Sequence, residues 1–207
     1  MYRRRVRLFV LSRHAESVLN HQHRINGDPS VPAPLTEHGR EEAALLGLQV
    51  RSLPLDVCLH TRFGRTVETA QIAMDGRDVP IVEEALFDDV NIGDLEGETI
   101  DGYHAWKREH VRSDRFPGGE SLVETALRYV EAYRRLLAAP YRCALVVCHE
   151  IPIRYALNAV GESGDLDGPV HSIPNAAPFL FDDAAIEKAA AGIERLATEE
   201  SETRLPS

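Results

Sequence analysis

Short runs of apolar residues alternate along the chain with segments that have helical spacing. The apolar runs, which are typical of strands, cover positions 6–11, 55–59, 79–82 and 144–148. The helical segments cover positions 36–51, 66–74, 121–137 and 153–160, and Thr36 stands where a capping residue is expected. This alternation predicts an α/β fold, a three-layer sandwich in which helices flank a mostly parallel central sheet.

The length and the composition favour one compact domain. The chain has 207 residues, of which 43% are hydrophobic, and this is enough for a single core. We expect the domain to span residues 1–183. Residues 184–207 are expected to form a C-terminal helix followed by a disordered, charged tail rich in Thr and Ser.

The formal charge of the chain is −10, from 23 Lys and Arg against 33 Asp and Glu. A surface with this balance is a poor match for nucleic acid or for an anionic membrane, so neither is an expected partner. Any anion-binding site must therefore be built locally. The sequence leaves open whether the protein forms a homo-oligomer.

Cysteine usage and hydropathy predict a cytoplasmic protein. Cys58, Cys143 and Cys148 lie in or beside apolar runs without a C-x-x-C spacing, as expected for buried free thiols in a reducing compartment. No apolar stretch reaches the roughly 18 residues of a membrane span, and the run at 6–11 is too short for a signal peptide.

Polar residues of types that take part in catalysis or phosphate binding follow three of the apolar runs. Arg13 and His14 come after the first run, Arg65 follows the second, and His149 and Glu150 come directly after the run at 144–148. Because parallel strands place their carboxyl ends at one edge of a sheet, these side chains should meet there. Arginine forks match phosphate oxygens, so the sequence predicts a phosphate-binding pocket.

A resemblance to a known family rests on several ordered segments. Residues 11–20, Leu-Ser-Arg-His-Ala-Glu-Ser-Val-Leu-Asn, resemble the Arg-His-Gly-Glu-Ser/Thr-x-x-Asn signature of the histidine phosphatase (phosphoglycerate mutase-like) superfamily, with Ala15 where glycine is usual. Further segments similar to family landmarks lie at positions 34–40, 61–70, 93–97, 116–121 and 146–149. The resemblance spans about residues 7–181 and implies that the domain is catalytic.

The resemblance implies a role for each matching residue. His14 matches the nucleophile, which would form a phosphohistidine. Arg13, Arg65 and His149 would stabilise the phosphoryl group during transfer. Asn20 is expected to bind a phosphate oxygen. The remaining expected phosphate and substrate ligands are Ser17, Asn26 and Gly27.

Two carboxylic acids are candidates for the proton donor that the leaving group needs. In one branch of the family the acid stands four residues before a glycine landmark, and this position is Asp89, counted from Gly93. In another branch it directly follows the second histidine, and this position is Glu150. We favour Asp89, because the other motifs resemble the same branch.

Neither a catalytic metal nor an organic cofactor is expected. The chain has nine histidines and an H-x-H pair, His21 and His23, but hydrolytic metal centres need three or more ligands. The arginines of the predicted pocket already supply the positive charge that a cation would bring.

The favoured function is hydrolysis of a small phosphorylated metabolite, a phosphate monoester. A phosphoglycerate-type mutase is the alternative, although such mutases carry Glu-Arg-His-Tyr-Gly where this chain has Asp-Val-Asn-Ile-Gly at positions 89–93. A third hypothesis is a phosphate-binding module without turnover.

The segment 103–115 is expected over the pocket mouth. It carries four cations, which either hold a second anionic group of the substrate or belong to an ordinary solvated helix face. They are Lys107, Arg108, Arg112 and Arg115.

Overall fold

A computed structural model describes residues 7–199 of the 207-residue chain. The predicted strand start at position 6 and the predicted disordered tail at positions 200–207 lie outside the described residues. Within residues 7–199, no helix has the length and hydropathy needed to cross a bilayer.

The described part of the chain contains one sheet. Its strands are β1 (Leu8–Arg13), β2 (Val57–His60), β3 (Ile81–Glu83), β4 (Cys143–Cys148) and β5 (Pro178–Asp182). They follow the order β3-β2-β4-β1-β5. Strands β1 to β4 are parallel to their neighbours, whereas β5 runs antiparallel to β1. The predicted α/β fold with a mostly parallel sheet is confirmed.

Several helices of the described residues begin directly after a residue that caps them. The helices of this part of the chain are α1 (Val18–His21), α2 (Glu37–Gln49), α3 (Gly64–Ala73), α4 (Ile100–Glu109), α5 (Leu122–Ala138), α6 (Glu150–Val160) and α7 (Asp183–Glu199). Thr36 caps α2, because its hydroxyl accepts a hydrogen bond from the Gly39 N–H at 2.9 Å. Ser121 and Glu124 form a capping box on α5.

The two faces of the sheet are both covered, which gives three layers. Val10 and Leu145 lie in a buried cluster with residues of α2 and α3 on one face. Phe9 and Val146 lie in a second cluster with residues of α5, α6 and α7 on the other. Every residue of β4 is buried, as expected for a central parallel strand. Full burial of one such apolar side chain contributes about 1.5–3 kcal/mol.

Some elements could not be read from the sequence pattern. The antiparallel edge strand β5 was not predicted, although Phe179, Leu180 and Phe181 follow its first residue, Pro178. Helix α6 begins at Glu150 rather than at position 153, because Pro152 is tolerated in the first helical turn. This earlier start makes His149 the N-cap residue of α6.

The C-terminal helix α7 is part of the same core. Ile186, Ile193 and Leu196 are buried in the cluster that contains α5 and α6 residues. Helix α7 therefore covers one face of the sheet. The division of the chain at residue 183 stays a prediction.

Candidate active site

A pocket of about 290 Å³ opens where β1 and β4 end. Its lining includes Arg13, His14, Arg65, Asp89 and Glu150, so the predicted site residues on separate segments do converge. A larger cavity of about 550 Å³ shares Asp89 and a glycine with this pocket but contains neither His14 nor the two arginines. The smaller pocket is therefore the candidate active site.

His14 directly follows β1 and is 2% exposed. Its Nδ1 lies 2.8 Å from the carbonyl oxygen of Ala15, so Nδ1 carries the proton and donates it. Its Nε2 accepts a hydrogen bond from Arg65 Nε at 3.0 Å. Burial lowers the pKa of His14 well below the ordinary value of 6.5, and the charges of Arg65 and Arg13 lower it further. The imidazole is therefore neutral, with a lone pair on Nε2.

Ala15 replaces the glycine of the family signature without strain. Its φ lies outside the left-handed region, where glycine alone is comfortable. The side chain is fully buried, and the Ala15 N–H donates to Thr69 Oγ1 at 3.0 Å. Thr69 in turn donates to the carbonyl of Arg65 at 2.7 Å. This substitution leaves the support of the site intact.

Arg65 lies in the first turn of α3 and is buried at the centre of the site. Besides His14, its guanidinium binds the side-chain oxygen of Asn26 through Nη1 and Asp89 Oδ2 through Nη2, the latter at 3.0 Å. It also stacks on the Phe63 ring, 4.3 Å from the centroid. These contacts hold the arginine fork rigidly beside the nucleophile candidate.

His149 is fully buried and contacts Arg65 directly. Its Nδ1 accepts a hydrogen bond from Arg65 Nη2 at 3.2 Å, so its Nε2 donates to Thr61 Oγ1 at 2.9 Å. Burial lowers the pKa of His149 well below 6.5, and Arg65 and His14 add to the effect. A neutral His149 acts as a hydrogen-bonding group, and the positive charge of the site comes from the arginines.

The two candidate acids have different surroundings. Asp89 Oδ2 lies 3.0 Å from Arg65 Nη2 and 3.3 Å from His149 Nδ1. Burial raises the pKa of Asp89 above the ordinary 3.8, although the charge of Arg65 opposes this. Glu150 Oε2 is in an ion pair with Arg13 Nη1 at 2.8 Å. The two carboxylates thus bind different arginines.

The segment that carries Asp89 is anchored by a close backbone contact. Gly93 has a φ of +53°, and a Cβ there would lie 2.1 Å from the Pro117 carbonyl oxygen. The neighbouring Asp94 N–H donates to the same oxygen at 2.7 Å. Only glycine fits this contact, which joins the two family landmarks at positions 93–97 and 116–121.

The four predicted phosphate and substrate ligands have different surroundings. Ser17 and Asn20 form the capping box of α1, and Asn20 lines the pocket. Asn26 binds Arg65, as described above. The Gly27 N–H donates to Glu96 Oε2 at 2.7 Å and so is directed away from a pocket ligand. Glu96, which also accepts from Asn26, was missed in the sequence although it lies within the landmark 93–97.

Comparison with known proteins identifies the family. Residues 9–177 match the sequence profile of the histidine phosphatase superfamily (branch 1). The chain belongs to the histidine phosphatase superfamily.

Two curated relatives of the chain are named as mutases. The 2,3-bisphosphoglycerate-dependent phosphoglycerate mutase 2 of Gloeobacter violaceus is 35% identical over 133 residues, 58% of this chain and 59% of that protein. The chain thus spans less than two thirds of that relative. A protein of Erwinia tasmaniensis named a probable phosphoglycerate mutase is 30% identical over 158 residues, 72% of this chain and 73% of its own length.

A solved structure supports the fold of the chain. The alpha-ribazole phosphatase of Shigella flexneri superposes with a TM-score of 0.73 at 21% identity, covering 84% of this chain and 89% of that one. At this identity the likeness concerns the fold alone.

Helix α4 supplies a wall of the pocket, and part of this helix belongs to the segment 103–115 that was expected over the pocket mouth. Ile100, Tyr103, His104 and Lys107 all line the pocket. Their spacing of i, i+3, i+4 and i+7 defines one helix face, and this was the available signal. The further lining residues missed in the sequence include Leu19, Arg24, Ile25, Ile92, Ile151 and Arg154.

The four cations of the segment 103–115 do not share one environment. Lys107 is buried in the pocket wall. Arg112 is also buried, with its Nη2 2.6 Å from Asp167 Oδ2. Arg108 is exposed, and the exposed Arg115 lies 3.3 Å from Glu124. A solvated helix face therefore accounts for Arg108 but not for Lys107 or Arg112.

No group of three or more His, Cys, Asp or Glu side chains within residues 7–199 is arranged to hold a metal ion. The H-x-H pair, His21 and His23, lies on the exposed surface. The three cysteines are buried and free, so none of them forms a disulfide.

Proposed function

We propose that this histidine phosphatase hydrolyses small phosphate monoesters through a phosphohistidine on His14. One observation carries the proposal. The proton of the His14 ring is held on Nδ1 by the Ala15 carbonyl, so Nε2 carries the lone pair, which accepts the Arg65 Nε–H in this structure. A neutral imidazole fixed in this way is a competent nucleophile near neutral pH.

The first step transfers the phosphoryl group to the enzyme. A phosphate oxygen of the substrate takes over the Arg65 Nε–H, which now binds His14 Nε2. Nε2 then attacks phosphorus in line, the P–N bond forms, and the P–O bond to the alcohol breaks. The departing alkoxide needs a proton, which protonated Asp89 would donate. Arg13 and Arg65 stabilise the charge on the equatorial oxygens.

The second step regenerates the enzyme. Water gives a proton to the Asp89 carboxylate and attacks phosphorus, the P–N bond breaks, and inorganic phosphate leaves with neutral His14 restored. Every proton in this cycle is held by Asp89, water, the alcohol or phosphate. We therefore propose that neither metal nor organic cofactor takes part.

A mutase is the second candidate, because the relatives from Gloeobacter and Erwinia are named as phosphoglycerate mutases. A mutase returns the phosphoryl group to another hydroxyl of the substrate instead of to water. Positions 89–93 lack the Glu-Arg-His-Tyr-Gly segment that the family resemblance associates with mutases, which supports hydrolysis.

Incubation with 3-phosphoglycerate, with and without its bisphosphorylated primer, is expected to release inorganic phosphate without forming 2-phosphoglycerate. The measurement follows phosphate by colorimetry and the two isomers by NMR. Primer-dependent isomerisation that outpaces phosphate release would establish the mutase instead. Failure to release phosphate from para-nitrophenyl phosphate or any alkyl phosphate would leave a binding module without turnover.

Exhaustive treatment with a chelator is expected to leave kcat/KM for para-nitrophenyl phosphate within about twofold of the untreated value. The reason is that Arg13 and Arg65 already supply the positive charge that a metal ion brings to phosphoryl transfer. Loss of activity that one divalent ion restores would contradict this prediction and indicate a metal-dependent hydrolase.

The proposed setting is the cytoplasm. Three buried free thiols suit a reducing compartment. The formal charge of −10 supports a small phosphorylated metabolite, rather than nucleic acid or an anionic membrane, as the partner. Whether the protein works as a homo-oligomer is a question for sedimentation measurements.

A further inference from the structure

One cation in the pocket wall has no hydrogen-bonding partner. Lys107 is 6% exposed and lines the pocket from α4. Within residues 7–199 no hydrogen bond or ion pair reaches its ammonium group, and its described contact is with the Tyr103 ring, whose centroid lies 5.4 Å from Nζ. A buried cation that lacks an anionic partner is costly, so its position in a pocket indicates a ligand.

The acidic residues around Lys107 are already engaged. Asp167 has the largest favourable charge effect on Lys107. Its two carboxylate oxygens, however, each accept a hydrogen bond at 2.6 Å, one from Arg154 and one from Arg112. Glu150 is likewise paired with Arg13 and Arg154. Burial lowers the pKa of Lys107, and an anionic ligand would raise it again.

Part of the pocket lining is apolar. Its apolar members include Leu19, Ile25, Ile92, Ile100 and Tyr103. Ile100 is 38% exposed and lines the pocket, so part of its apolar surface is open to a ligand. A substrate that covered this apolar lining would bury apolar surface on Ile100, whereas a short polyhydroxylated acid would not.

We propose that the substrate is a phosphate monoester whose alcohol part is apolar and carries a second anionic group, which Lys107 binds. The inference rests on the proposed function, since it assigns the transferred phosphate to His14 and the arginines. It assigns three roles within one pocket: His14 and the arginines bind the transferred phosphate, the apolar lining contacts the alcohol part, and Lys107 binds the second anionic group. Lys107 is thus a specificity-determining residue.

Binding of non-hydrolysable phosphonates by calorimetry tests the role of Lys107. Para-carboxybenzylphosphonate and its neutral carboxamide have nearly the same shape and differ in one charge. The carboxylate is expected to bind about tenfold more tightly, as for a partly desolvated ion pair. The meta isomers place the carboxylate at a shorter distance from the phosphonate, so they test a second position for the anionic group. If neither carboxylate binds more tightly than its carboxamide, the proposal is wrong.

Variants of α4 assign the preference to one residue. Lys107→Met keeps the length of the side chain, and it should remove the preference for the carboxylate. Lys107→Arg should keep it, which guards against a folding defect in the methionine variant. Arg108→Met removes the neighbouring exposed charge and should leave the preference at the wild-type value. If Lys107→Met weakens both ligands equally, Lys107 binds the phosphonate itself and the proposal fails.

A third ligand tests the apolar lining. 2-Hydroxy-4-phosphonobutanoate, the phosphonate analogue of 3-phosphoglycerate, carries a carboxylate on a short polar chain. Para-carboxybenzylphosphonate should bind about tenfold more tightly than this analogue, and Ile100→Asn should reduce the difference. Tighter binding of the short polar acid would overturn the apolar part of the proposal.

The outcomes of these binding tests can be distinguished from the outcomes of the tests of hydrolysis. Phosphonate binding requires no turnover, so a Lys107-dependent preference in a protein that releases no phosphate would refute hydrolysis and keep the inference. Phosphate release from benzyl phosphate, together with equal binding of the carboxylate and carboxamide phosphonates, would keep the proposed hydrolysis and refute the inference about Lys107.

Discussion

Replacement of His14 with alanine is expected to lower turnover of every phosphate monoester by roughly four to six orders of magnitude, because the variant lacks the atom that attacks phosphorus. No other imidazole of the described residues can substitute. His149 contacts Arg65, but it is fully buried and is not among the residues that line the pocket. Steady-state kinetics with para-nitrophenyl phosphate measures the effect.

Two further measurements make the prediction for His14 specific. Rapid quenching of the wild-type enzyme with a labelled substrate should trap a phosphoryl group that is labile in acid and stable in base, and His14→Ala should trap none. His38→Ala serves as the control, because His38 lies on α2 with 66% of its side chain exposed. Near-normal turnover by His14→Ala would refute the phosphohistidine mechanism.

Replacement of Asp89 with asparagine is expected to lower kcat/KM for alkyl phosphates by about 10²–10⁴-fold, the usual contribution of a general acid. Turnover of para-nitrophenyl phosphate should change little, because its phenolate leaves without protonation. The surroundings of Asp89 support this role. Burial raises its pKa, although the charge of Arg65 opposes this.

The pH profile provides an independent test of Asp89. Activity should fall as the pH drops through the lowered pKa of His14, since a protonated imidazole has no lone pair. It should also fall as the pH rises through the raised pKa of Asp89, since the acid must hold its proton. The optimum for alkyl phosphates therefore lies on the acidic side. Asp89→Asn should abolish the alkaline limb.

Glu150→Gln is the matched control for this assignment. It removes a carboxylate of similar exposure, 27% against 26% for Asp89, from the same pocket. If Glu150→Gln loses activity on alkyl phosphates and keeps it on para-nitrophenyl phosphate, Glu150 is the donor and the assignment to Asp89 is wrong.

The sequence by itself determined the fold class and the convergence of the polar residues at one sheet edge. Both depend on local patterns. Apolar runs mark the strands, and Arg13, His14 and His149 are placed by the strand that each of them ends or follows. Parallel pairing then brings them together, as the hydrogen bond from the His14 N–H to the Cys148 carbonyl at 2.9 Å illustrates.

Only the tertiary structure decided the protonation states and the shape of the pocket. The pKa values of His14 and His149 are lowered by burial, which arises from packing and not from neighbours in sequence. Arg112 is neutralised by Asp167, 55 positions away, whereas no ion pair within residues 7–199 reaches Lys107 in the pocket wall. A spacing pattern assigns a side chain to a helix face. What that face meets depends on contacts between distant segments, and these exist only once the chain has folded.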